Sequence, residues 1–417
     1  MKVHFISVFH SVGQGLFYTS DIYAGRSDFK IVYDCGAERG REHYIEAAIN
    51  RHKRYSRNKK KIDLLILSHL HYDHISGLQN LMDNFEVKDV FLPYLSPTER
   101  LILALEYINL SSEFEWYYSF LSDPVVFLIE NGVERVILMG GEEGDEGPDI
   151  PEPENLPENP NDNLLKLDIE KFPQDNKIPV EKNWQEYKGY KLFMLNHIGY
   201  AVIRDIRRLP LWIFRFFNYK IPQPNLKKFD ECLKHHKLPV IDIKSLISSQ
   251  SEIKKIKECY HTITKKTLKD LNNTSLMLYH GPLGRYNLEF AITPFFKYDY
   301  YNNNRKYSFN RFAKIGQFLT GDINLNHNYY QIIEHFSKVK SNILITMVPH
   351  HGSNKSWKDK ILTDLTYSNF WIISAGIKNK FHHPSIDTVM DIVYNGKYLL
   401  WANERNSVII KGEIEWI

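Results

Sequence analysis

Residues 62–74, with the sequence IDLLILSHLHYDH, contain the most specific structural signal in the chain. Their first part is a continuous apolar run, typical of a β-strand covered on both faces, and a helical pattern follows the last histidine. Side chains two residues apart at a strand end point the same way, so His69 and His71 can bind one metal ion. The next turn can direct Asp73 and His74 at a second ion, and Asp73 can also orient or deprotonate a water molecule. The alternative, a surface loop rich in histidine by chance, would require a joint coincidence of residue type, spacing and context.

Outward from this stretch, strand and helix patterns alternate and predict an α/β fold. Helical patterns lie at residues 44–55, 78–85 and 98–107. The predicted strands are short β-branched and aromatic runs that mostly end in Gly, Asp, His or Pro. They are HFISVF, FKIVYDCG, VKDVFLP and VERVILM in the first part of the chain, then SLMLYHG, KIGQFLTGD, ILITMVPHHG and NFWIISAG from residue 275 onward. The pattern predicts one α/β domain in two halves, residues 1–140 and 271–417.

The composition changes abruptly between these halves. Residues 141–162 hold nine acidic residues, no basic residue and five prolines, which predicts a solvated linker. Residues 163–270 are predicted to form an insertion. Within it, between residues 181 and 237, Lys and Arg exceed Asp and Glu by seven and alternate with aromatic residues.

Two basic regions each allow two interpretations. The aromatic and cationic insertion could bind single-stranded nucleic acid by stacking and charge, or could pack its aromatic side chains in its own core. The run RHKRYSRNKKK at residues 51–61 could follow a phosphate backbone, or could be a helix C-terminus and a solvated turn, where cations are favourable.

Composition narrows the class of protein. A net charge of +3 over 417 residues is too small to indicate a partner by itself. The cysteines Cys35, Cys232 and Cys259 include no C-x-x-C pair, so we expect neither a disulfide framework nor a thiolate zinc site. The first residues have no signal-peptide pattern, and the most apolar run, residues 209–217, is too short to span a bilayer. These features predict a cytoplasmic protein with no membrane partner.

The order of the motifs resembles the metallo-β-lactamase fold, and in particular the metallo-β-lactamase domain of ComEC-type DNA-uptake proteins and their soluble relatives. The resemblance implies a metallo-β-lactamase αββα sandwich with a large inserted segment between its two halves. Residues 141–265 resemble no family that we can name. The stretches that carry the resemblance, besides the H-x-H-x-D-H motif, are VFHSVGQG (8–15), IVYDCG (31–36), NNTSL (272–276), LTGD (319–322), VPHHGS (348–353) and SAGIKNKFHHP (374–384).

The resemblance also implies roles for residues in the second half. Asp322 corresponds to the carboxylate that bridges two metals, and the alternative is the Asp of an ordinary Gly-Asp turn. Alignment on the His-Gly pair favours His351 as the last metal ligand, with His350 as a competitor. His383 resembles a histidine that contacts the phosphate or the leaving group, and the alternative is a structural histidine. The residues implied to contact the substrate are Ser353, Asn379 and Asn272.

Two departures from the usual motifs bear on the metal and on specificity. The second-motif histidine, which completes the metal site, has no clear equivalent, and Asn273 replaces the Asp of the ComEC-type N-D-x-S-L stretch. One metal could therefore be bound weakly, or the site could hold Mn²⁺, which accepts oxygen ligands more readily than zinc does. His382 replaces the glycine before the last histidine, where an added imidazole could narrow specificity or be inert.

These residues predict a metal-dependent hydrolase with two divalent ions, Zn²⁺ or Mn²⁺. We expect it to cleave phosphodiesters, with DNA or RNA as the leading substrate, because two ions can clamp the attacking and leaving oxygens. The first alternative is a hydrolase of a small phosphodiester, such as a cyclic nucleotide or a phospholipid head group. The second is a regulatory binding module with a degenerate site. A protein partner could switch the enzyme on, and the insertion, including Arg204, Arg207 and Arg208, is expected to overhang the metal site and to influence substrate choice.

Overall fold

Two β-sheets face each other between layers of helices in the computed structural model. The structure describes residues 2–56, 60–107, 114–141, 165–205, 209–219, 224–238, 243–260, 274–296 and 314–417. The layers confirm the predicted αββα sandwich.

The first sheet has nine strands among the described residues and holds the strand that leads into the histidine motif. Five neighbouring strands at one edge of this sheet run parallel, whereas the strands towards the opposite edge pair antiparallel. The strands lie in the order β12 (Tyr286–Phe296), β17 (Asn406–Trp416), β1 (Lys2–Phe9), β2 (Phe17–Ala24), β3 (Ser27–Cys35), β4 (Lys61–Ile66), β5 (Glu86–Pro93), β6 (Arg135–Gly140) and β8 (Leu192–Asn196).

The second sheet has eight strands in the described part of the chain. Four of them run parallel at one edge, and the others pair antiparallel. The order is β16 (Tyr398–Ala402), β15 (Phe370–Ser374), β14 (Ile343–Met347), β13 (Gly316–Leu319), β11 (Met277–Pro282), β10 (Pro210–Phe217), β9 (Tyr200–Arg204) and β7 (Lys166–Asp168). The carboxyl ends of parallel strands meet at one edge of a sheet, so the loops after β13, β14 and β15 come together there.

Helices cover the outer faces of both sheets. Those that pack on the first sheet are α1 (Glu42–Tyr55), α2 (Tyr72–Ile75), α3 (Leu78–Asn84), α4 (Pro97–Leu105), α5 (Glu115–Ser122), α6 (Pro124–Glu130), α7 (Pro224–His235), α8 (Ile243–Ser248) and α9 (Gln250–Tyr260). Those on the second sheet are α10 (Leu325–His335), α11 (Ile361–Asp364) and α12 (Ile386–Tyr394). A separate apolar core fills the space between the sheets and includes Phe5, Trp212 and Phe214.

The segment predicted as an insertion from residue 163 is not separate from the sandwich. Its strand β8 extends the first sheet, and β7, β9 and β10 extend the second. The apolar run at residues 209–217 is the wholly buried strand β10, so its hydrophobicity reflects a sheet covered on both faces. Helices α7, α8 and α9 are the part that is added to the outside of the first sheet. The predicted linker lies almost wholly outside the described residues.

The expectation that the cysteines form no disulfide is wrong for one pair. Cys232 in α7 and Cys259 in α9 are bonded in the structure, and Cys35 is a buried free thiol. The packing of two helices brings together residues that are 27 apart in sequence, which spacing alone does not reveal. Among the described residues, no helix is long and apolar enough to cross a membrane.

Candidate metal centre

The histidine motif lies in a tight turn between β4 and α2. Leu67 and Ser68 continue from the strand, and the helix begins at Tyr72, so His69 and His71 lie in the connecting turn. The turn is packed closely against the end of β3. A Cβ atom at Gly36 would lie 2.2 Å from the carbonyl oxygen of Asp73. Only a residue without a side chain allows this approach, which explains the glycine that follows β3.

Four histidine side chains surround the carboxylate of Asp322, which follows β13. The Nε2 atoms of His74 and His351 lie 3.3 Å and 3.6 Å from Oδ1. The Nε2 atoms of His69 and His350 lie 3.9 Å and 3.7 Å from Oδ2. Asp322 therefore has two imidazoles beside each of its oxygens.

The other ring nitrogen of each histidine is occupied by a hydrogen-bonding group. A histidine whose Nδ1–H donates in this way presents the lone pair of Nε2, which is how protein matrices orient metal-binding imidazoles. The Nδ1 partners are Asp34 Oδ2 for His74 at 2.7 Å, Ser68 Oγ for His69 at 2.9 Å, Ser374 carbonyl for His351 at 2.7 Å and Ser356 Oγ for His350 at 2.7 Å.

Asp73 lies on the Oδ1 side of the cluster. Its Oδ2 is 3.7 Å from His351 Nε2, and atoms of Asp73, His74 and His351 lie within 4.8 Å of one another. Burial raises the pKa of Asp73, but its interaction with His351 and the electrostatic attraction of His74 lower the pKa by more, so the net pKa is below the usual range. Asp73 is therefore a carboxylate and is available as a ligand.

His71 lies beside Glu106, a residue that no sequence motif marks. Its Nε2 lies 3.8 Å from Oε2 of Glu106, at the end of α4, and its Nδ1 is buried without a hydrogen-bond partner. Burial raises the pKa of Glu106. The helix at residues 98–107 was predicted, but no spacing signal connects its last turn with the motif.

Asp34 is a second residue with a role that sequence reasoning missed. It accepts hydrogen bonds from the backbone N–H of Ser68 at 2.6 Å and from His74. Its φ of 57° lies in the left-handed region, where a non-glycine residue is strained. The IVYDCG stretch pointed to this position without assigning it a function. Asp34 holds the motif turn and the ring of His74.

The residues predicted to contact the substrate differ in how close they lie to the metal centre. The ring of His383 lies 5.6 Å from that of His350, and burial is the main cause that lowers its pKa to about 4. The amide of Asn379 donates to the carbonyls of Gly376 and His383 and accepts from backbone N–H groups, so it shapes its own loop. Ser353 is buried, and its backbone N–H donates to the carbonyl of His350 at 2.9 Å. Asn272 and Asn273 lie outside the described residues.

The basic aromatic segment is used mainly inside the protein. Trp184, Trp212 and Phe214 are buried, which favours the core interpretation of its aromatic residues. Arg204 Nε donates to Asp168 Oδ2 at 2.6 Å, and Arg215 is buried. Arg207 and Arg208 lie outside the described residues. In the other basic run, Arg51 donates to Ser11 and Lys53 to Asn84, which favours the structural interpretation for these two residues.

The donor atoms of the Asp322 cluster fit divalent metal ions. Nε2 of His69, His74 and His351 and Oδ1 of Asp322 are buried without a hydrogen-bond partner. Buried polar atoms are rarely left unsatisfied, and nitrogen and carboxylate oxygen are the ligands of zinc and of related ions. Asp73, His74, His351 and Asp322 Oδ1 form one donor set. His69, His350 and Asp322 Oδ2 lie on the other side, where the ring of His71, 5.0 Å from that of His69, is a third imidazole.

Among the comparisons with known proteins, a family model matches the part of the chain that contains the histidine motif. The family model of the Metallo-beta-lactamase superfamily matches residues 15–97. No curated protein matches the chain. The chain is similar to the first crystal structure of an archaeal metallo-beta-lactamase superfamily protein, from Sulfolobus tokodaii, at 15% identity and a TM-score of 0.16. That similarity covers 40% of this chain and 56% of the other, so the chain spans about half of the solved structure. The narrower resemblance to ComEC-type domains stays a prediction. Residues 15–97 thus carry the match to the metallo-beta-lactamase superfamily, and a domain of this superfamily implies a metal-dependent hydrolase.

Proposed function

We propose that the chain is a two-metal phosphodiesterase and that its leading substrate is DNA or RNA. The observation that carries the proposal is the division of imidazoles around Asp322, with two beside each carboxylate oxygen. These residues would hold one divalent ion on each side of Asp322, and two such ions would stabilise the attacking and the leaving oxygens of a phosphodiester.

Each donor set has a distinct composition. The set with Asp73 contains two carboxylates and two imidazoles, and the set with His69 contains three imidazoles and one carboxylate oxygen. His350 is our candidate for the role of the missing second-motif histidine, because its Nε2 lies on the same side of Asp322 as that of His69. When bound, the ions, Zn²⁺ or Mn²⁺, supply Lewis acidity and lower the pKa of a water molecule towards about 7.

The chain's own residues then orient the reaction. Asp73 accepts a hydrogen bond from the attacking water at its carboxylate and so fixes the direction of attack. Asp34 and Glu106 hold the rings of His74 and His71 in place. His383, half-buried beside His350, offers its imidazole to the phosphate or to the leaving group.

A cavity favours a small phosphodiester as the second candidate substrate. Its volume is about 250 Å³, and Tyr94, Lys177, Tyr219 and Thr274 are among its lining residues. Its lining residue Thr274 precedes Ser275, whose hydroxyl accepts a hydrogen bond from the backbone N–H of Asp322 at 3.1 Å, so the cavity and the metal centre share this segment of the chain. A lysine and two tyrosines can bind a phosphate and a base.

The test is hydrolysis by the full chain loaded separately with Zn²⁺ and with Mn²⁺. The substrates are single- and double-stranded DNA, RNA, a cyclic dinucleotide and bis-p-nitrophenyl phosphate, with Asp322→Asn as the inactive control. Cleavage of the polymers supports the leading proposal, and cleavage of the cyclic dinucleotide alone supports the second. If the loaded chain hydrolyses none of them, with and without cell extract as a source of a partner, the regulatory-module alternative replaces both.

A further inference from the structure

A cluster of metal-ligating side chains lies apart from the Asp322 centre, in the helices added to the first sheet. It consists of Cys232, His236 and Cys259, and one ligand atom from each lies within 4.8 Å of the others. The two sulfurs are bonded to each other in the structure. A disulfide needs no imidazole beside it, so the position of His236 next to the two sulfurs calls for a further explanation.

The position of His236 is set by the end of α7. Its backbone N–H donates to the carbonyl of Cys232 at 3.1 Å, so the two side chains lie one turn apart on one helix face. Lys237 follows with a φ of 54°, and the N–H of Leu238 bonds to the carbonyl of Leu233 at 3.0 Å. This is the Schellman pattern, which ends a helix at a defined residue. His236 is therefore the last residue before the chain turns.

The burial of the cluster suits a structural ion. Cys259 lies in the last turn of α9 and is fully buried, whereas Cys232 and His236 are half-buried. Leu233 and Ile256 belong to the same apolar core. The cluster therefore lies at the boundary between that core and solvent, with one side that an ion can enter from.

We propose that in the reduced chain Cys232, His236 and Cys259 bind a zinc ion. A dithiol reductant supplies two electrons and two protons, breaks the disulfide to two thiols and is itself oxidised to a disulfide. Binding of Zn²⁺ then displaces one proton from each thiol. Two thiolates and one imidazole are three of the four ligands of a tetrahedral zinc site, and water or a further donor takes the fourth position. The ion thus replaces the disulfide as the link between α7 and α9.

The site would stabilise the contacts between the added helices and the helices that support the motif turn. In α7, Asp230 accepts a hydrogen bond from Thr98 of α4. Leu246 of α8 belongs to the same core as Tyr117 of α5. The hydroxyl of Tyr117 donates to the carbonyl of Leu70, between the two motif histidines, at 2.9 Å. A link between α7 and α9 therefore stabilises the layer on which the motif turn rests.

Cobalt titration of the reduced full chain tests the proposal without interference from the Asp322 centre. Co²⁺ bound to thiolate gives an intense near-ultraviolet charge-transfer absorption, whereas the ligands at Asp322 are imidazoles and carboxylates. We expect this absorption in the wild-type chain and its loss on addition of excess Zn²⁺. The variant C232S/C259S should lack the absorption and keep the weaker visible bands of cobalt at the Asp322 centre.

Histidine variants separate a three-ligand site from a simple pair of thiols. His236→Ala should bind Co²⁺ more weakly by at least about tenfold, since the loss of a group that only orients a ligand already costs about 10–100-fold. The control is His235→Ala, which removes the exposed neighbour of His236 and should bind as the wild type does. The proposal is overturned if the reduced wild-type chain shows no thiolate absorption, if C232S/C259S retains it through Cys35, or if His236→Ala binds like the wild type.

Discussion

The Nε2 atom of His350 lies 3.7 Å from Oδ2 of Asp322. The next residue, His351, lies instead beside Oδ1 of the same carboxylate, at 3.6 Å. Both histidines have a positive φ, 47° and 56°, so the chain turns sharply between β14 and the following loop. Such a conformation costs about 1–3 kcal/mol per non-glycine residue and is typical of functional sites. The strained turn directs two consecutive side chains to opposite sides of one carboxylate.

We expect His350→Ala and His351→Ala each to remove one of two metal ions per chain. Each variant deletes an imidazole from a different donor set. Metal analysis after loading with Mn²⁺ measures this, because thiolates bind Mn²⁺ poorly and the cysteine cluster does not contribute. The exposed His327 of α10 provides a control, and His327→Ala should keep both ions. Two ions in His350→Ala would show that His350 is not a ligand.

Asp73→Ala should abolish turnover while leaving the fold intact. The variant loses both a ligand beside His351 and the group that orients the water. The measurement is kcat on bis-p-nitrophenyl phosphate, with circular dichroism as the check of the fold. Asp83→Ala, at an exposed position of α3, should keep wild-type activity. Residual turnover above one per cent of wild type would contradict the role of Asp73, since a positioned acid–base group contributes about 10²–10⁴-fold.

Glu106→Gln should weaken metal binding about 10–100-fold, because the amide removes the negative charge beside the ring of His71. Titration of the metal-free chain with Zn²⁺ measures this directly and does not depend on activity. The matched control is Glu115→Gln at an exposed position of α5. If both variants bind Zn²⁺ equally well, Glu106 does not position His71.

Gly36→Ala should lower the free energy of unfolding by more than about 3 kcal/mol, because overpacking of a buried site is one of the mechanisms behind large losses of stability. The new methyl group would lie 2.2 Å from the carbonyl oxygen of Asp73, so the motif turn would have to move. Denaturant unfolding gives the free energy of unfolding. Gly40→Ala, whose Cβ would meet no atom within 4 Å, should cost only about 1–2 kcal/mol through its positive φ. Equal losses in the two variants would contradict the steric argument.

The stability of the protein should fall as the pH decreases below 6.5, partly because of His280. Burial lowers the pKa of His280 to about 3 from 6.5. Between these values the unfolded chain binds a proton that the folded chain does not, so acidification favours unfolding by up to about 1.4 kcal/mol per pH unit. The neutral ring accepts from Trp212 and pairs with Tyr18. His280→Gln should be less stable at pH 7 but show a shallower decline between pH 6.5 and 3; an unchanged slope in chemical denaturation would contradict this.

Local patterns were sufficient for much of the fold. The predicted strands around residues 4–9, 29–36 and 343–347 and the helix at 44–55 are present, because their apolar periodicity reflects burial in a layered sandwich. Strand β2 was missed: it is buried on both faces but contains Asp21 and several hydroxyl side chains, so its sequence lacks the apolar run of a covered strand. Strands β7 to β10 belong to the two sheets but were predicted to lie in an insertion. That prediction rested on the change in composition, and composition does not show which sheet a strand joins.

Local sequence patterns were enough to predict an α/β fold, the H-x-H-x-D-H turn, and the positions of Asp322 and the His350–His351 pair at strand ends, whereas the αββα layering came from the family resemblance. These are local properties, since a strand end and a tight turn specify where a short run of side chains points. Three contacts required the packed structure: His350 and His351 lie beside different oxygens of Asp322, Glu106 lies beside His71, and Cys232 is bonded to Cys259. Each of these contacts joins elements far apart in the chain, and their distance is set by how helices and sheets pack.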